Sequence, residues 1–260
     1  MPHLPNRFEK HLFLGDFHIP DHNQKILPVL LKFIKDLKPD YIYLLGDVLN
    51  LTHASKYPPI SKVPTPGEEI IQARKVIFEI AGIARKENKK VKIYWLEGNH
   101  SERLTKYIYR NASALTDITD EYGDLIITIP NIFKLKEHGI TWIPSNVTKR
   151  VGEIDVEHGD ISRCKAGYTA QAMIDKRGRC VIMGHSHKVA LIARNQDGDI
   201  KFGWEIGCLA NLQPTPNWTY KPDWSNGLGV GIYDRKEKIL HPISILFQKN
   251  QFYFEGKVYK

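Results

Sequence analysis

The chain has 260 residues, 42% of them hydrophobic and 25% charged, a mixture that can bury a sizeable core and that argues against a disordered or fibrous protein. Its formal net charge of +8 favours anionic partners such as phosphate esters or nucleic acid without naming one, although a solubilising surface has the same signature. Cys164, Cys180 and Cys208 are odd in number, far apart and without a Cys-x-x-Cys pair, which argues against a disulfide scaffold or a thiolate zinc site and points to a reducing cytoplasm.

The first residues lack the apolar core of a signal peptide, and no apolar run approaches the roughly 20 residues of a membrane span, so no membrane association is expected. His11 to Leu14 reads as a short apolar strand running into Gly15-Asp16-Phe17-His18. Residues two apart in an extended segment point the same way, so Asp16 and His18 can converge. Apolar residues at Ile26, Leu27, Leu30, Leu31, Ile34 and Leu37 have helical spacing, which predicts a helix from about Asn23 until Pro39 stops it. Tyr41 to Leu45 is a second strand, ending in Gly46-Asp47-Val48-Leu49-Asn50. Strand, helix, strand with apolar strands reads as a right-handed βαβ unit in a buried, mostly parallel sheet.

His53 to Gly67 holds four prolines and no regular period, and reads as a loop over or beside a site. Glu68 to about Glu87 is a second amphipathic helix; the charged run Arg85 to Lys90 is its solvated end. Val91 to Leu96 alternates apolar and polar residues as a strand does, Gly98 breaks it, and Asn99 and His100 follow where ligands collect in open α/β sheets. A helix is expected from about Ser101 to Asn111. Beyond Asp117, strand-like runs lie near Leu125–Ile129, Ile132–Leu135, Ile140–Ile143 and Ile154–Glu157, the last entering His158. A helix from Tyr168 to Lys176 precedes an apolar strand, Cys180–Met183, that ends in Gly184-His185-Ser186-His187. The remainder, Val189–Ala193, Lys201–Ile206, Gly229–Tyr233, Ile239–Leu246 and Gln251–Phe254, reads as strands and turns. No repeat, low-complexity segment or linker forces a boundary, so residues 1–260 are expected to form a single domain.

Five strand ends thus carry Asp16 and His18, Asp47, Asn99 and His100, His158, and His185 and His187. Carboxylate oxygens and neutral imidazoles are the ligands that Mn²⁺, Fe²⁺ and Zn²⁺ accept, and there are enough of them for two ions. A lone Gly-Asp is usually a turn and a lone His usually a satisfied side chain; five such ends in one chain are improbable by accident.

In this arrangement the chain resembles the calcineurin-like metallophosphoesterase superfamily, whose blocks appear as Asp16-Phe17-His18, Gly46-Asp47-Val48-Leu49-Asn50, Gly98-Asn99-His100, His158 and Gly184-His185-Ser186-His187. It looks closest to the small phage- and prophage-type phosphoesterases, through Gly98 to Arg103, Trp204-Glu205-Ile206-Gly207-Cys208 and Asn217-Trp218, with Ser101 where that branch has an acidic residue. The resemblance implies an α/β fold, a four-layer αββα sandwich of two facing mixed sheets flanked by helices. It implies two divalent ions, Mn²⁺ first, then Fe²⁺, Zn²⁺, Ni²⁺ or Mg²⁺. One would be held by Asp16, His18 and His187, the other by Asn99, His158 and His185, with Asp47 bridging. Such a pair lowers the pKa of a shared water and clamps a displacement at phosphorus. His100 is expected to act on substrate, hydrogen-bonding the phosphate and protonating the leaving oxygen. Asn99 and Arg103 are expected beside it at the phosphate.

The expected activity is phosphoester hydrolysis, as a phosphodiesterase or nuclease on nucleotides, DNA or RNA. The alternatives are a phosphomonoesterase on small molecules or phosphoprotein, and a metal-containing binding protein without turnover, which the presence of every ligand disfavours. The cytoplasm is that of the host cell if the chain is phage-encoded. Trp204, Trp218, Tyr220 and Trp224, spread among prolines, offer faces on which bases stack for roughly 1–3 kcal/mol each; packing on the protein's own sheet is the alternative. His3, His11, His22, His53, His138 and His241 match no block and read as surface or packing residues, with His22 and His53 nearest the site segments.

Overall fold

The computed structural model describes residues 5–56, 62–196, 198–213 and 222–260. The chain opens with strand β1 (Phe8–Leu14), helix α1 (Ile26–Leu37), β2 (Tyr41–Leu44), α2 (Pro66–Glu87), β3 (Lys92–Leu96) and α3 (Ser101–Asn111). A short α4 (Ile129–Ile132) leads to β4 (Ile140–Ile143), β5 (Lys149–Val151), β6 (Ile154–Glu157), α5 (Tyr168–Arg177) and β7 (Val181–Met183). The strands β8 (Val189–Gln196), β9 (Asp199–Ile206), β10 (Gly227–Asp234), β11 (Ile239–Leu246), β12 (Phe252–Phe254) and β13 (Lys257–Tyr259) complete it.

Two sheets face each other. One has the order β11-β10-β1-β2-β3-β4, the other β5-β6-β7-β9-β8, and β12 and β13 form a separate hairpin. Strands β1 to β4 pair in parallel, as the βαβ reading requires, and so do β6, β7 and β9.

The layering follows from strand alternation. Leu12 and Leu14 of β1 pack with Leu30 and Phe33 of α1 and Ile77 and Ile80 of α2. Phe13, between them in sequence, points the other way and meets Val156, Ile182 and Trp204 of the second sheet. On the far side, Met173 of α5 covers Val181 and Met183. Helices, sheet, sheet and helix make the four-layer αββα sandwich that the sequence leads one to expect. Each fully buried side chain of this size contributes roughly 1.5–3 kcal/mol. Phe33 also receives Phe252, Phe254 and Tyr259 edge-on, with ring centroids 5.0 to 5.2 Å away, and so ties the C-terminal hairpin to α1.

Local signals explain the element ends. Lys38 adopts a left-handed conformation (φ 50°) to close α1 just before Pro39. Thr65 and Glu68 exchange reciprocal hydrogen bonds in a capping box, with Pro66 in the first turn, so α2 starts slightly before the expected Glu68.

The strand-like runs expected at 125–129 and 132–135 do not form strands. Leu125 makes only an isolated bridge to Thr119, and Ile129–Ile132 is a helical turn. Pro130 presets the helical φ and removes a ladder donor, and the apolar run buries itself as a turn, Phe133 lying edge-on to Trp95 at 5.0 Å. Among the unassigned histidines, His11 is buried and stacked on Tyr41 at 4.5 Å, and His138 stacks on Phe78 at 3.8 Å. Both are packing residues, as expected. Trp204 is fully buried between the sheets, which settles that residue as core. Trp218 and Tyr220 lie outside the described residues, as does His3. No helix among the described residues is long and apolar enough to cross a membrane.

Candidate metal centre

All seven expected ligands follow the C-terminal ends of parallel strands: Asp16 and His18 after β1, Asp47 after β2, Asn99 after β3, His158 after β6, and His185 and His187 after β7. The two sheets bring these ends to one edge of the sandwich, where open α/β sheets place their ligands. Five of the seven are left-handed: φ is 55° at Asp16, 52° at His18, 44° at Asp47, 64° at His185 and 58° at His187. Such residues cost on the order of 1–2 kcal/mol each, and strain of this kind gathers at functional sites. It turns each chain sharply as it leaves its strand, so that the side chain faces the opposite sheet.

The glycines before the ligands allow these turns to close up. A Cβ on Gly184 would stand 2.5 Å from Asp16 Oδ2, and one on Gly98 would collide with Asp47 Oδ1 and its backbone nitrogen. Instead, backbone amides approach the carboxylates: His185 N–H donates to Asp16 Oδ2 at 2.9 Å, and His100 N–H donates to Asp47 Oδ1 at 2.9 Å. Asp16 and Asp47 are both buried.

The donor atoms fall into two clusters. In the first, His187 Nε2 lies 3.4 Å from Asp16 Oδ1 and 2.9 Å from His18 Nε2. In the second, His158 Nε2 lies 3.3 Å from Asp47 Oδ2, 3.1 Å from His185 Nδ1 and 2.9 Å from Asn99 Oδ1. Within each of the triads Asp16/His18/His187 and Asp47/His158/His185 the potential ligand atoms lie within 4.8 Å of one another.

Hydrogen bonds at the back of two rings determine which nitrogen faces inward. The Asn50 amide donates to Asp21 Oδ2 at 2.6 Å, which turns Asn50 Oδ1 toward His18 Nδ1 at 3.0 Å. His18 Nδ1 is therefore the donor, and its Nε2 lone pair points at Asp16 and His187. His158 Nδ1 donates to the Leu45 carbonyl at 2.7 Å, so in the neutral ring Nε2 also presents a lone pair. In the first cluster, and in the second once His158 has released its inward proton, nitrogen and oxygen lone pairs converge, an arrangement that a divalent cation satisfies, with the His18 and His158 rings held from behind.

Charge in the metal-free protein differs between the clusters. Burial, followed by the nearby His187, lowers the His18 pKa to about 4. His158 is equally buried, but Asp47 outweighs that penalty and raises its pKa to about 9. Asp47, despite its burial, is held well below the usual carboxylate range by His158 and His100.

His100 faces the same space. Its ring centroid is 4.6 Å from that of His18, and its Nε2 is 3.7 Å from Asp47 Oδ2. His18, Asp47 and His100 themselves form a third triad with ligand spacing. Arg103, one turn along α3, donates to His100 Nε2 at 2.7 Å and to the Asn50 carbonyl at 2.8 Å. Burial pushes the His100 pKa well below its usual value.

Two supporting residues carry no role in the sequence reading. Asn50 stands inside a recognised block and orients His18. Glu69 of α2 is buried, and its carboxylate accepts from the Leu51 amide at 2.6 Å, bracing the turn that carries Asn50. The signal for Glu69 is its spacing: with Ala73, Val76, Ile77 and Ile80 it lies on the buried stripe of α2.

A family model for calcineurin-like phosphoesterases matches residues 10–189, and the chain belongs to that family. It is 26% identical over 226 residues to the Gene 54 protein of Mycobacterium phage D29, covering 79% of this chain and 84% of that protein. The Gene 54 protein of Mycobacterium phage L5 is 24% identical over the same coverage. Among solved structures, the E. coli phosphoesterase Yfce aligns over 90% of this chain and 98% of its own with 12% identity and a TM-score of 0.42. Vps29 of Chaetomium thermophilum aligns over 93% and 99% with 12% identity and a TM-score of 0.43.

Proposed function

We propose that the chain is a dinuclear-metal-dependent phosphoester hydrolase, with residues 1–260 acting as a single domain. The observation that carries this reading is the pair of donor clusters at one sheet edge, one built on Asp16 and the other on Asp47, with inward lone pairs held in place from behind. Asp16, His18 and His187 would hold one ion, Asn99, His158 and His185 the other, and Asp47 would lie between them. Two bound divalent ions supply an acidified water and charge stabilisation for an in-line displacement at phosphorus. Mn²⁺ is the first candidate for that mixed nitrogen and oxygen donor set.

His100 is assigned to the substrate. A further nitrogen on the second ion would crowd the open positions that a catalytic site keeps. Arg103 keeps the ring turned toward Asp47, and the remaining donors of its guanidinium can reach a phosphate oxygen. An anionic phosphate beside His100 favours the protonated ring that burial and the Arg103 cation oppose; protonation at Nε2 replaces the Arg103 hydrogen bond, and that N–H can donate to the leaving oxygen.

The finer reading is a diesterase acting on nucleotide or nucleic-acid esters. The net charge of +8 supports it, and so does Trp224, whose ring lies edge-on to His187 at 4.6 Å and stands where a base would approach. Phosphomonoesterase activity is the alternative. The test is a panel of Mn²⁺, Mg²⁺, Zn²⁺ and Ni²⁺ against p-nitrophenyl phosphate, its bis ester, cyclic nucleotides and single-stranded DNA and RNA, with metal content measured alongside. Occupancy approaching two ions and diester hydrolysis with Mn²⁺ are expected. Hydrolysis of the monoester alone selects the alternative, and a metal content that never exceeds one overturns the dinuclear reading.

A further inference from the structure

Beside the second donor cluster lies a cavity of about 270 Å³. Asn99, His158 and His185 line it, so it adjoins a phosphoester held at that cluster. The lining also includes the apolar Ile143, Pro144 and Val147 and a rim of carboxylates, Glu97, Glu102, Glu157 and Asp160.

The charges of this rim are already arranged. Arg177, the one arginine or lysine lining the cavity among the described residues, donates to both oxygens of Glu157, at 2.9 and 2.6 Å. Asp160 pairs with Lys176. Glu97 accepts from the Ser145 amide at 3.0 Å, and among the described residues no lysine, arginine or histidine pairs with it. With Glu102 paired to Lys106, the cavity therefore presents hydrogen-bond acceptors, one uncompensated carboxylate and apolar side chains. It holds no uncommitted cation to meet a second phosphate.

The geometry points to this cavity as the seat of one ester arm of the substrate, an arm that is uncharged or cationic and rich in hydrogen-bond donors, such as a nucleoside, a polyol or an amino alcohol. It does not suit the next phosphate of a continuing nucleic-acid strand, because a strand threaded here would bring a second anion to Glu97 in a partly enclosed space, where like charges repel strongly. This rests on the phosphoester hydrolase reading and narrows its substrates to short esters, leaving strands only the Trp224 side.

The test uses the Mn²⁺-loaded full chain and three diesters that share p-nitrophenol as leaving group. These are p-nitrophenyl phosphorylcholine, p-nitrophenyl thymidine 5′-phosphate, and the latter with an added 3′-phosphate. The first two should be hydrolysed with kcat/KM at least about tenfold above the third, as expected for one like-charge contact near a protein surface. Glu97→Gln should shrink that ratio severalfold, and added salt should shrink it too. Equal or better hydrolysis of the 3′-phosphorylated ester overturns the inference, as does a ratio that Glu97→Gln leaves unchanged. If none of the three releases p-nitrophenol, the diesterase reading fails, and calorimetry then decides the cavity separately. Thymidine 5′-phosphate binding more tightly than thymidine 3′,5′-bisphosphate supports the assignment, and the reverse order overturns it.

Discussion

The two donor clusters share an edge of the sandwich and use the same residue types, yet they are prepared differently. In the Asp16 cluster, a side-chain amide, Asn50, turns His18, and burial keeps that ring neutral, its pKa lowered to about 4. In the Asp47 cluster, a main-chain carbonyl, that of Leu45, turns His158, and Asp47 keeps a proton on the ring, its pKa raised to about 9. In the first cluster, His18 is open to a cation over the whole neutral range. The second must release a proton to take one, so its affinity is tied to pH. The difference comes from the neighbours: Asp47 Oδ2 is 3.3 Å from His158 Nε2, whereas His18 Nε2 has His187 Nε2 at 2.9 Å and Asp16 Oδ1 only at 3.9 Å.

The largest expected effect comes from the residue the clusters are proposed to share. Asp47→Ala should reduce metal content from two ions per chain toward none in elemental analysis of Mn²⁺-supplied protein; retention of one ion would show that the clusters are independent. His100→Asn should leave both ions bound and lower turnover by roughly 10²–10⁴-fold, the range for losing a general acid. The loss should be greater for esters of poor alkoxide leaving groups than for p-nitrophenyl esters, whose anion departs unaided. A lost ion would make His100 a ligand, in keeping with the third triad, and indifference to the leaving group would make it an electrostatic stabiliser.

Asn50→Ala removes the support of one cluster only. Calorimetric titration should show affinity at the Asp16 cluster falling by roughly 10–100-fold, as for other residues behind a ligating histidine, with the Asp47 cluster little changed. An equal loss at both would mean that Asn50 acts on the shared edge as a whole.

The last effect is graded with pH. His158 holds its competing proton below about pH 9, so affinity at the Asp47 cluster should rise about tenfold per pH unit from 6 toward 9 and then level off. His18 has lost its proton above about pH 4, so the Asp16 cluster should show no such slope from that residue over this range. Parallel slopes at both clusters would contradict the asymmetry.

Much of the fold was legible in the sequence because its signals are local. Period-3.6 spacing marks α1 and α2, apolar runs mark β1, β2 and β7, alternation marks β3, and turn chemistry marks their ends. The segment from Leu125 to Leu135 was misread for a definite reason: its apolar residues suit a strand or a buried turn equally, and only the presence of Trp95 and α2 as neighbours selects the turn. The β5 strand and the last strand, β13, were not foreseen, being three residues each and stabilised by their partners rather than by their own composition.

The sequence by itself determined which residues are proposed to carry the chemistry, because a metal centre needs particular side chains at strand ends and those appear as short blocks after apolar runs. Tertiary structure alone decided how they act together. Asp47 and His158 are separated by 111 positions yet stand 3.3 Å apart, so the proton they share exists only after the two sheets face each other. The same holds for Arg103 on His100, for Glu69 beneath the Asn50 turn, and for the cavity whose walls come from β3, β4, β6 and β7. Residue type is a local property of the chain, whereas proton affinity, tautomer and enclosed space depend on distances that only packing establishes.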